Sequence, residues 1–355
     1  MNATDPTRSP ARRRRLAVAL ALVSAVATVS ACVPAAPAGA PPAPAAAHAK
    51  APAPVPTSKV GDVTLTVGDQ KAGVQTLLQA AGELDNLPYK IKWSSFTSGP
   101  PLLEAINAGA VDFGTVGNTP PIFSAAAGGK ITIVGVSRDS AQGDAVLVPE
   151  GSTAKSVADL KGKRVAVAKG SSAQGNLLLQ LKKAGLTPSD VKITFLAPAD
   201  GYAALEAGQI DAWFVWDPYT AQAQHELKAR VLADGKGVAN GLGFQVASPK
   251  ALADPERNSA IADLIARSTR ARVWAKSHSK EWAAAYSKES GLPISVALTT
   301  QRSDDGPLTL TPEIAKSEQD LADTFADAKV IPTRPKIADL IDDRDNETVA
   351  NEGAK

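Results

Sequence analysis

From residue 63 onward, short β-type apolar runs alternate with stretches of helical spacing. Val63 to Val67 alternates and is β-branched, which predicts a strand. Val74, Leu77, Leu78, Ala81 and Leu84 then recur at the spacing of one helical face. A strand over Ile91 to Phe96 follows, then the loop Thr97-Ser98-Gly99-Pro100, a helix from Pro101 to Ala108 and a strand from Val111 to Val116. The loop Gly117-Asn118-Thr119-Pro120 leads into a short helix, and Ile131 to Val136 reads as a further strand. Strands and helices alternating at this rhythm predict an α/β fold with a mainly parallel sheet covered by helices.

The pattern is then repeated. A shift of 99 positions places Ala108-Gly109-Ala110-Val111-Asp112 on Ala207-Gly208-Gln209-Ile210-Asp211, Phe96 on Phe195, Val116 on Val215 and Asn118 on Asp217. Agreement of strand, loop and helix order over about fifty residues predicts two lobes of like topology facing one another. Glycines beside apolar β-like runs place the crossings between lobes near Gly143 to Val146 and Gly243 to Ala247, a two-strand hinge. Beyond the second crossing, Asn258 to Tyr286 reads as helix, with Ile261, Leu264, Ile265, Val273 and Trp274 as packing positions. Glu313 to Ala326 reads as another helix, docked on the first lobe.

The N-terminus departs from this pattern. Arg8 and Arg12 to Arg15 form a basic segment before the uncharged run Leu16 to Val29, the layout of a signal peptide. The run ends in Val29-Ser30-Ala31-Cys32, which reads as a lipobox with Cys32 as the lipidated residue. Cys32 is the only Cys, so no disulfide can form within the chain. Val33 to Val60 is dominated by Ala and Pro and reads as a semi-stiff tether without a core of its own. The expected division is signal peptide 1–31, lipidated Cys and tether 32–60, first lobe 61–143 with 247–338, second lobe 144–246, and flexible tail 339–355. At 355 residues there is room for two lobes, and 44% apolar residues suffice for their cores. The net charge of +2 draws much of its excess from the N-terminal Arg cluster, which argues against a nucleic-acid partner.

Ligands of open α/β sheets bind beyond the carboxyl ends of the strands, where loops enter helix N-termini. Here those loops are Gln70-Lys71-Ala72-Gly73, Ser98-Gly99-Pro100, Gly117-Asn118-Thr119 and Lys169-Gly170-Ser171-Ser172. They offer small residues, hydroxyls and free N–H groups, a set suited to a cluster of anionic oxygens. Each loop alone reads as a helix cap; four converging loops point to a ligand, with Ser171 and Ser172 as central donors. Lys71, Arg138 and Lys169 are the available cations, each equally readable as a surface residue. Trp216 divides between a ligand wall and the core, whereas Trp213 reads as core. Asp200 and Asp217 read as loop-holding acceptors that border the site rather than as acids. His48, His225 and His278 form no metal-ligand spacing, and neither a Walker loop nor a Gly-x-Ser-x-Gly elbow is present. The residues therefore call for no catalysis, cofactor or metal.

Several stretches carry a resemblance: Leu102-Leu103-Glu104-Ala105, Val111-Asp112-Phe113-Gly114, Gly117-Asn118-Thr119-Pro120-Pro121, Val167-Ala168-Lys169-Gly170-Ser171, and Asp211-Ala212-Trp213 through Trp216-Asp217-Pro218. Over Thr64 to Pro332 the chain resembles the aliphatic-sulfonate-binding subfamily of the nitrate/taurine/sulfonate group of solute-binding proteins. The resemblance implies a type II periplasmic-binding-protein fold that closes on its ligand by hinge motion. It also implies a monomer that delivers an alkyl sulfonate or similar small organic anion to an ABC permease driven by a cytoplasmic ATPase. With the lipobox, this places the protein on the outer face of the cell membrane or in the periplasm. A nitrate or thiamine-precursor binder, a membrane-linked sensor and a cofactor-free enzyme on the same fold are the alternatives.

Overall fold

The computed structural model describes residues 55–56, 59–301 and 306–354. The expected signal peptide and Cys32 lie outside them. In the first lobe run β1 (Thr64–Gln70), α1 (Val74–Ala80), β2 (Lys90–Phe96), α2 (Gly99–Asn107), β3 (Phe113–Gly117), α3 (Thr119–Ala126) and β4 (Thr132–Arg138). The second lobe holds β5 (Ala145–Val148), β6 (Arg164–Val167), α4 (Ser172–Lys183), β7 (Lys192–Phe195), α5 (Pro198–Glu206), β8 (Ala212–Val215), α6 (Tyr219–Glu226) and β9 (Arg230–Asp234). The chain then returns through β10 (Leu242–Ala247), α7 (Pro249–Ala253), α8 (Pro255–Ser277), α9 (Ser279–Ser290), α10 (Ile294–Thr300), β11 (Pro307–Leu308), α11 (Pro312–Asp327) and α12 (Asn346–Gly353).

The sheets are ordered β11-β4-β10-β3-β1-β2 and β7-β6-β8-β5-β9. Apart from β11, they share one plan. Adding 99 to the span of α2 gives 198–206, the span of α5, and β3 and α3 fall on β8 and α6 to within a residue. Each sheet has a parallel core, β2-β1-β3 or β7-β6-β8, followed by an antiparallel strand that arrives from a crossing, β10 or β5. The repeat reaches single side chains. Asp112 Oδ2 accepts from Thr66 N at 2.8 Å, and Asp211 Oδ2 accepts from Arg164 N at 2.8 Å, so each carboxylate satisfies an amide on the middle strand of its parallel core, β1 or β6.

The crossings differ from the expected ones. Val146 lies inside β5 and Gly243 to Ala247 inside β10, so the connections are residues 139–144 and 235–241. Strand β10 completes the first sheet because its apolar residues Phe244 and Val246 pack there with Val116 and Val136. The two connections bond to each other, Asp139 N to Gly241 O at 2.9 Å and Gly235 N to Asp144 O at 2.8 Å. Gly241 has φ +65°, and a side chain there would run into the Asp139 carbonyl.

Three further expectations change. The helix expected over Asn258 to Tyr286 is two helices, broken at His278, where ψ is 42°. Its buried stripe contains Ile261, Leu264 and Ile265, each fully buried and worth about 1.5–3 kcal/mol. Val273 and Trp274 are only half-buried. The stretch from 339 is docked instead of frayed: Ile341 bridges to Ile133, Val349 is buried in the core containing α8, and Asn346 bonds both the N–H and the C=O of Leu310. At the other end, Val55 N donates to Ser259 Oγ and Val60 is fully buried, so the end of the expected tether belongs to the body. Behind the cleft, Ile122 of α3, Leu178 of α4 and Phe325 of α11 share one apolar cluster that joins the lobes.

Candidate functional site

A cavity of about 470 Å³ lies where the carboxyl ends of the two sheets face each other. Gln70 ends β1, Gly117 ends β3 and Arg138 ends β4; Ser172 opens α4, and Trp216 and Asp217 follow β8. All of them line it. The far wall comes from α8 and α9, with Arg272, Trp282 and Tyr286. These three, with Asp139 and Asp144 of the first connection, were not among the sequence candidates.

Of the candidates, Gln70, Lys71, Gly99, Gly117, Arg138, Ser171, Ser172, Trp216 and Asp217 reach the cavity. Ser98, Asn118, Thr119 and Asp200 do not line it. Asn118 and Thr119 are buried behind it: Asn118 Nδ2 donates to Asn240 Oδ1 at 2.8 Å, and Thr119 Oγ1 donates to Asn118 Oδ1 at 2.9 Å. Asp200 stands exposed in the first turn of α5 and makes no capping bond. Lys169 is exposed, with Nζ 5.9 Å from the Phe195 ring. Lys71 reaches across the lobes, Nζ lying 5.9 Å from the centre of the Tyr219 ring. Trp213 is core, at 1% exposure, while half-buried Trp216 divides between the core and the cavity wall.

The serines do not stand as expected. Ser171 Oγ donates to Ala168 O at 2.7 Å, and Ser172 Oγ donates to Asp144 Oδ1 at 3.1 Å, so both hydroxyl protons are already engaged. The start of α1 is likewise occupied: Asp69 accepts from Val74 N and Gln75 N at 2.9 Å each. Burial pushes the Asp69 carboxyl up to about 6 against those bonds. Asp217 does hold its loop, Oδ1 accepting from Ala221 N at 3.1 Å.

The charges that face the cavity are of both signs: Lys71, Arg138, Arg272 and Lys276 against Asp139, Asp144 and Asp217. Arg138 Nε is buried without a hydrogen-bond partner. An orphan donor of this kind costs about 1–3 kcal/mol, which an incoming oxygen acceptor recovers. Burial holds the Arg272 guanidinium below its ordinary value, partly offset by the charge of Asp139. Burial also pushes the Asp144 carboxyl up to about 7; nearby Asp139 and Asp217 add to this and the Ser172 bond opposes it. Among the described residues, no group of three His, Cys, Asp or Glu side chains could hold a metal ion.

Two like α/β lobes joined by a double crossover, with a cavity at the facing strand ends, define a periplasmic-binding-protein fold. The sequence pattern of the NMT1-like family matches residues 64–288, and the chain belongs to that family. It is 37% identical over 285 residues to a protein of Escherichia coli (strain K12) named for aliphatic sulfonates binding, covering 78% of this chain and 88% of that one. A Bacillus subtilis (strain 168) protein of the same name is 33% identical over 256 residues, 71% of this chain and 76% of its own. Among solved structures, the alkanesulfonate-binding protein SsuA from Xanthomonas axonopodis pv. citri, bound to MOPS, superposes with a TM-score of 0.72 at 33% identity, over 78% of this chain and 97% of that one. The desulfurization enzyme DSZB shares the fold alone, with a TM-score of 0.57 at 16% identity.

Proposed function

We propose that this chain is the extracytoplasmic solute-binding component of an ABC importer and captures an aliphatic sulfonate by closing its lobes. The observation that carries the reading is Arg138: a buried, unpartnered Nε lining an interlobe cavity, with the under-compensated Arg272 on the far wall of the same cavity. A sulfonate presents three acceptor oxygens and one negative charge, which these guanidinium groups match. Trp216 and Trp282 offer apolar faces for an alkyl tail. The relatives named for sulfonate binding support the same class. Their names as binding proteins favour a carrier over an enzyme.

In this mechanism the ligand stabilises the closed state only through contacts made with both lobes. Arg138 and Arg272 serve from the first lobe, and Trp216 from the second. The expected serine-centred site thus becomes a cation-centred one, with the hydroxyls holding loops. Export and anchoring through Cys32 are part of the proposal, and so is delivery to a permease with its ATPase.

Calorimetry with propane-1-sulfonate, nitrate, sulfate and a thiamine precursor tests it. Propane-1-sulfonate is expected to bind tightest, with Arg138→Gln and Arg272→Gln each losing tenfold or more, as the loss of a charged hydrogen bond worth about 1.5–3 kcal/mol requires. Tighter binding of nitrate or of the thiamine precursor, or full affinity in both variants with normal melting, would overturn the reading.

A further inference from the structure

The connection at residues 235–241 is fastened at both ends by side chains that the ligand site does not use. On the second-lobe side, Gln180 Nε2 of α4 donates to Asp234 O at 2.6 Å, and Asn176 Nδ2 donates to Asp144 O of the companion connection at 3.1 Å. On the first-lobe side the fastening runs through Asn240. Its Oδ1 accepts from Asn118 Nδ2 at 2.8 Å and from Leu242 N at 3.2 Å, and its Nδ2 donates to Glu318 Oε2 at 3.2 Å and reaches Ser317 Oγ at 3.4 Å. Asn240 therefore ties the connection to the start of α3 and to α11 at once.

Glu318 is the unusual member. Its side chain is fully buried, its other oxygen, Oε1, has no partner, and among the described residues no charged neighbour acts on it. A lone carboxylate in such a place is strongly disfavoured, whereas a neutral carboxylic acid is tolerated. Leu321 and Ala322, three and four residues on, lie on the same helical face and pack in the cluster that includes Leu178 of α4. Helix α4 belongs to the second lobe, so the packing over this face is made between the lobes.

We infer that Glu318 is a positioning residue of the hinge: as a neutral acid it holds Asn240, and with it the second connection, against α3 while the lobes are closed, and its ionisation favours opening. Burial pushes the carboxyl up to about 8, with the Asn240 bond pulling the other way, and these are its only two causes. Helix α3 carries no charged residue. Lys182 and Lys183 on α4, Asp234 and Lys236 at the connection, and Lys336 and Asp339 beyond α11 do not contribute to the shift. The sign follows. With the closed-state value raised above the ordinary 4.5, the contribution to closure is complete below 4.5, falls as pH rises, and is lost once pH passes about 8. Full hydration on opening would change the closed-to-open ratio by about tenfold per pH unit within that window.

Closure without added ligand is read by fluorescence transfer between labels at Lys92→Cys and Lys192→Cys, exposed positions on the edge strands β2 and β7, in the full chain with Cys32→Ser. Wild type is expected to lose closed population as pH rises from about 4.5 to about 8, with no further loss above that. Glu318→Gln, an uncharged isostere that cannot ionise, is expected to stay closed throughout. The cleft carboxylates Asp139, Asp144 and Asp217 are the same in both proteins and cancel in the difference. Asn240→Ala is expected to be more open at every pH, with melting confirming that it folds. Coincident pH profiles for wild type and Glu318→Gln overturn the inference, as does an Asn240→Ala variant that closes like wild type.

Discussion

Gly117, the last residue of β3, faces Ser172, the first residue of α4, across the cleft: a Cβ on Gly117 would stand 2.9 Å from the Ser172 Cβ. A second pair repeats the arrangement deeper in the interface, where a side chain on Gly175 of α4 would run into Thr119 Oγ1 at the start of α3. Neither glycine has a left-handed φ, so what they supply is space. Both let a strand end or helix start of one lobe seat against α4 of the other.

Gly117→Ala and Gly175→Ala are therefore expected to hold the lobes apart and weaken ligand capture. Forcing a methyl group into a packed contact costs about 1–3 kcal/mol, which is roughly fivefold to a hundredfold in affinity. Gly175 makes the test sharper. It lies inside α4, where Ala is the better helix former by about 1 kcal/mol, so the second lobe should not lose stability. Calorimetry and melting on the two variants check this; unchanged affinity in both would mean that closure does not bring these surfaces together.

The duplicated body was legible in the sequence because it rests on local patterns. Asp112 and Asp211 stand 99 apart and each bonds an amide on the middle strand of its parallel core, and the segments that became α2 and α5 follow the same spacing. The ring of loops was legible for the same reason, since strand-loop-helix order marks the carboxyl edge. Arg272 was not. Its helix shows its periodicity only through the buried stripe, and the face turned to the cleft is polar like a face turned to water. Ser171 and Ser172 mark the complementary failure: a sequence shows the hydroxyl but not the Ala168 carbonyl or the Asp144 carboxylate that takes its proton. The docked C-terminus escaped because α12 carries a single buried apolar residue, Val349, and no periodicity can be read from one position.

The anchor reading makes a prediction independent of the cleft. Cys32→Ala is expected to release the protein from the membrane fraction while leaving ligand affinity unchanged. Val55, the first described residue, bonds Ser259 of the body and lies more than twenty residues beyond the Cys. Among the described residues no helix is long and apolar enough to cross a membrane, so the body offers no such span in place of the lipid. Fractionation that leaves the variant firmly attached would refute the anchor.

Asp144 gives the cleft a pH dependence whose sign can be worked out. Burial, then Asp139 and, more weakly, Asp217 push its carboxyl up to about 7 against the Ser172 bond, so the folded protein takes up a proton that the unfolded chain would hold only near pH 3.8. The stability linked to that proton is complete below 3.8 and is lost as pH rises through about 7. Asp144→Asn keeps an oxygen for the Ser172 hydroxyl and removes the charge. It should match wild type at about pH 3, below the unfolded value, and exceed it at about pH 8 by about 1–3 kcal/mol, less than the full linkage because the cleft admits water. The same substitution should strengthen binding of propane-1-sulfonate at the higher pH, since one of the three carboxylates facing the anion is gone. Melting and calorimetry at both pH values decide the matter. A variant that is less stable than wild type at the higher pH, or that binds the sulfonate more weakly there, would show that the Asp144 charge supports the cleft instead of opposing it.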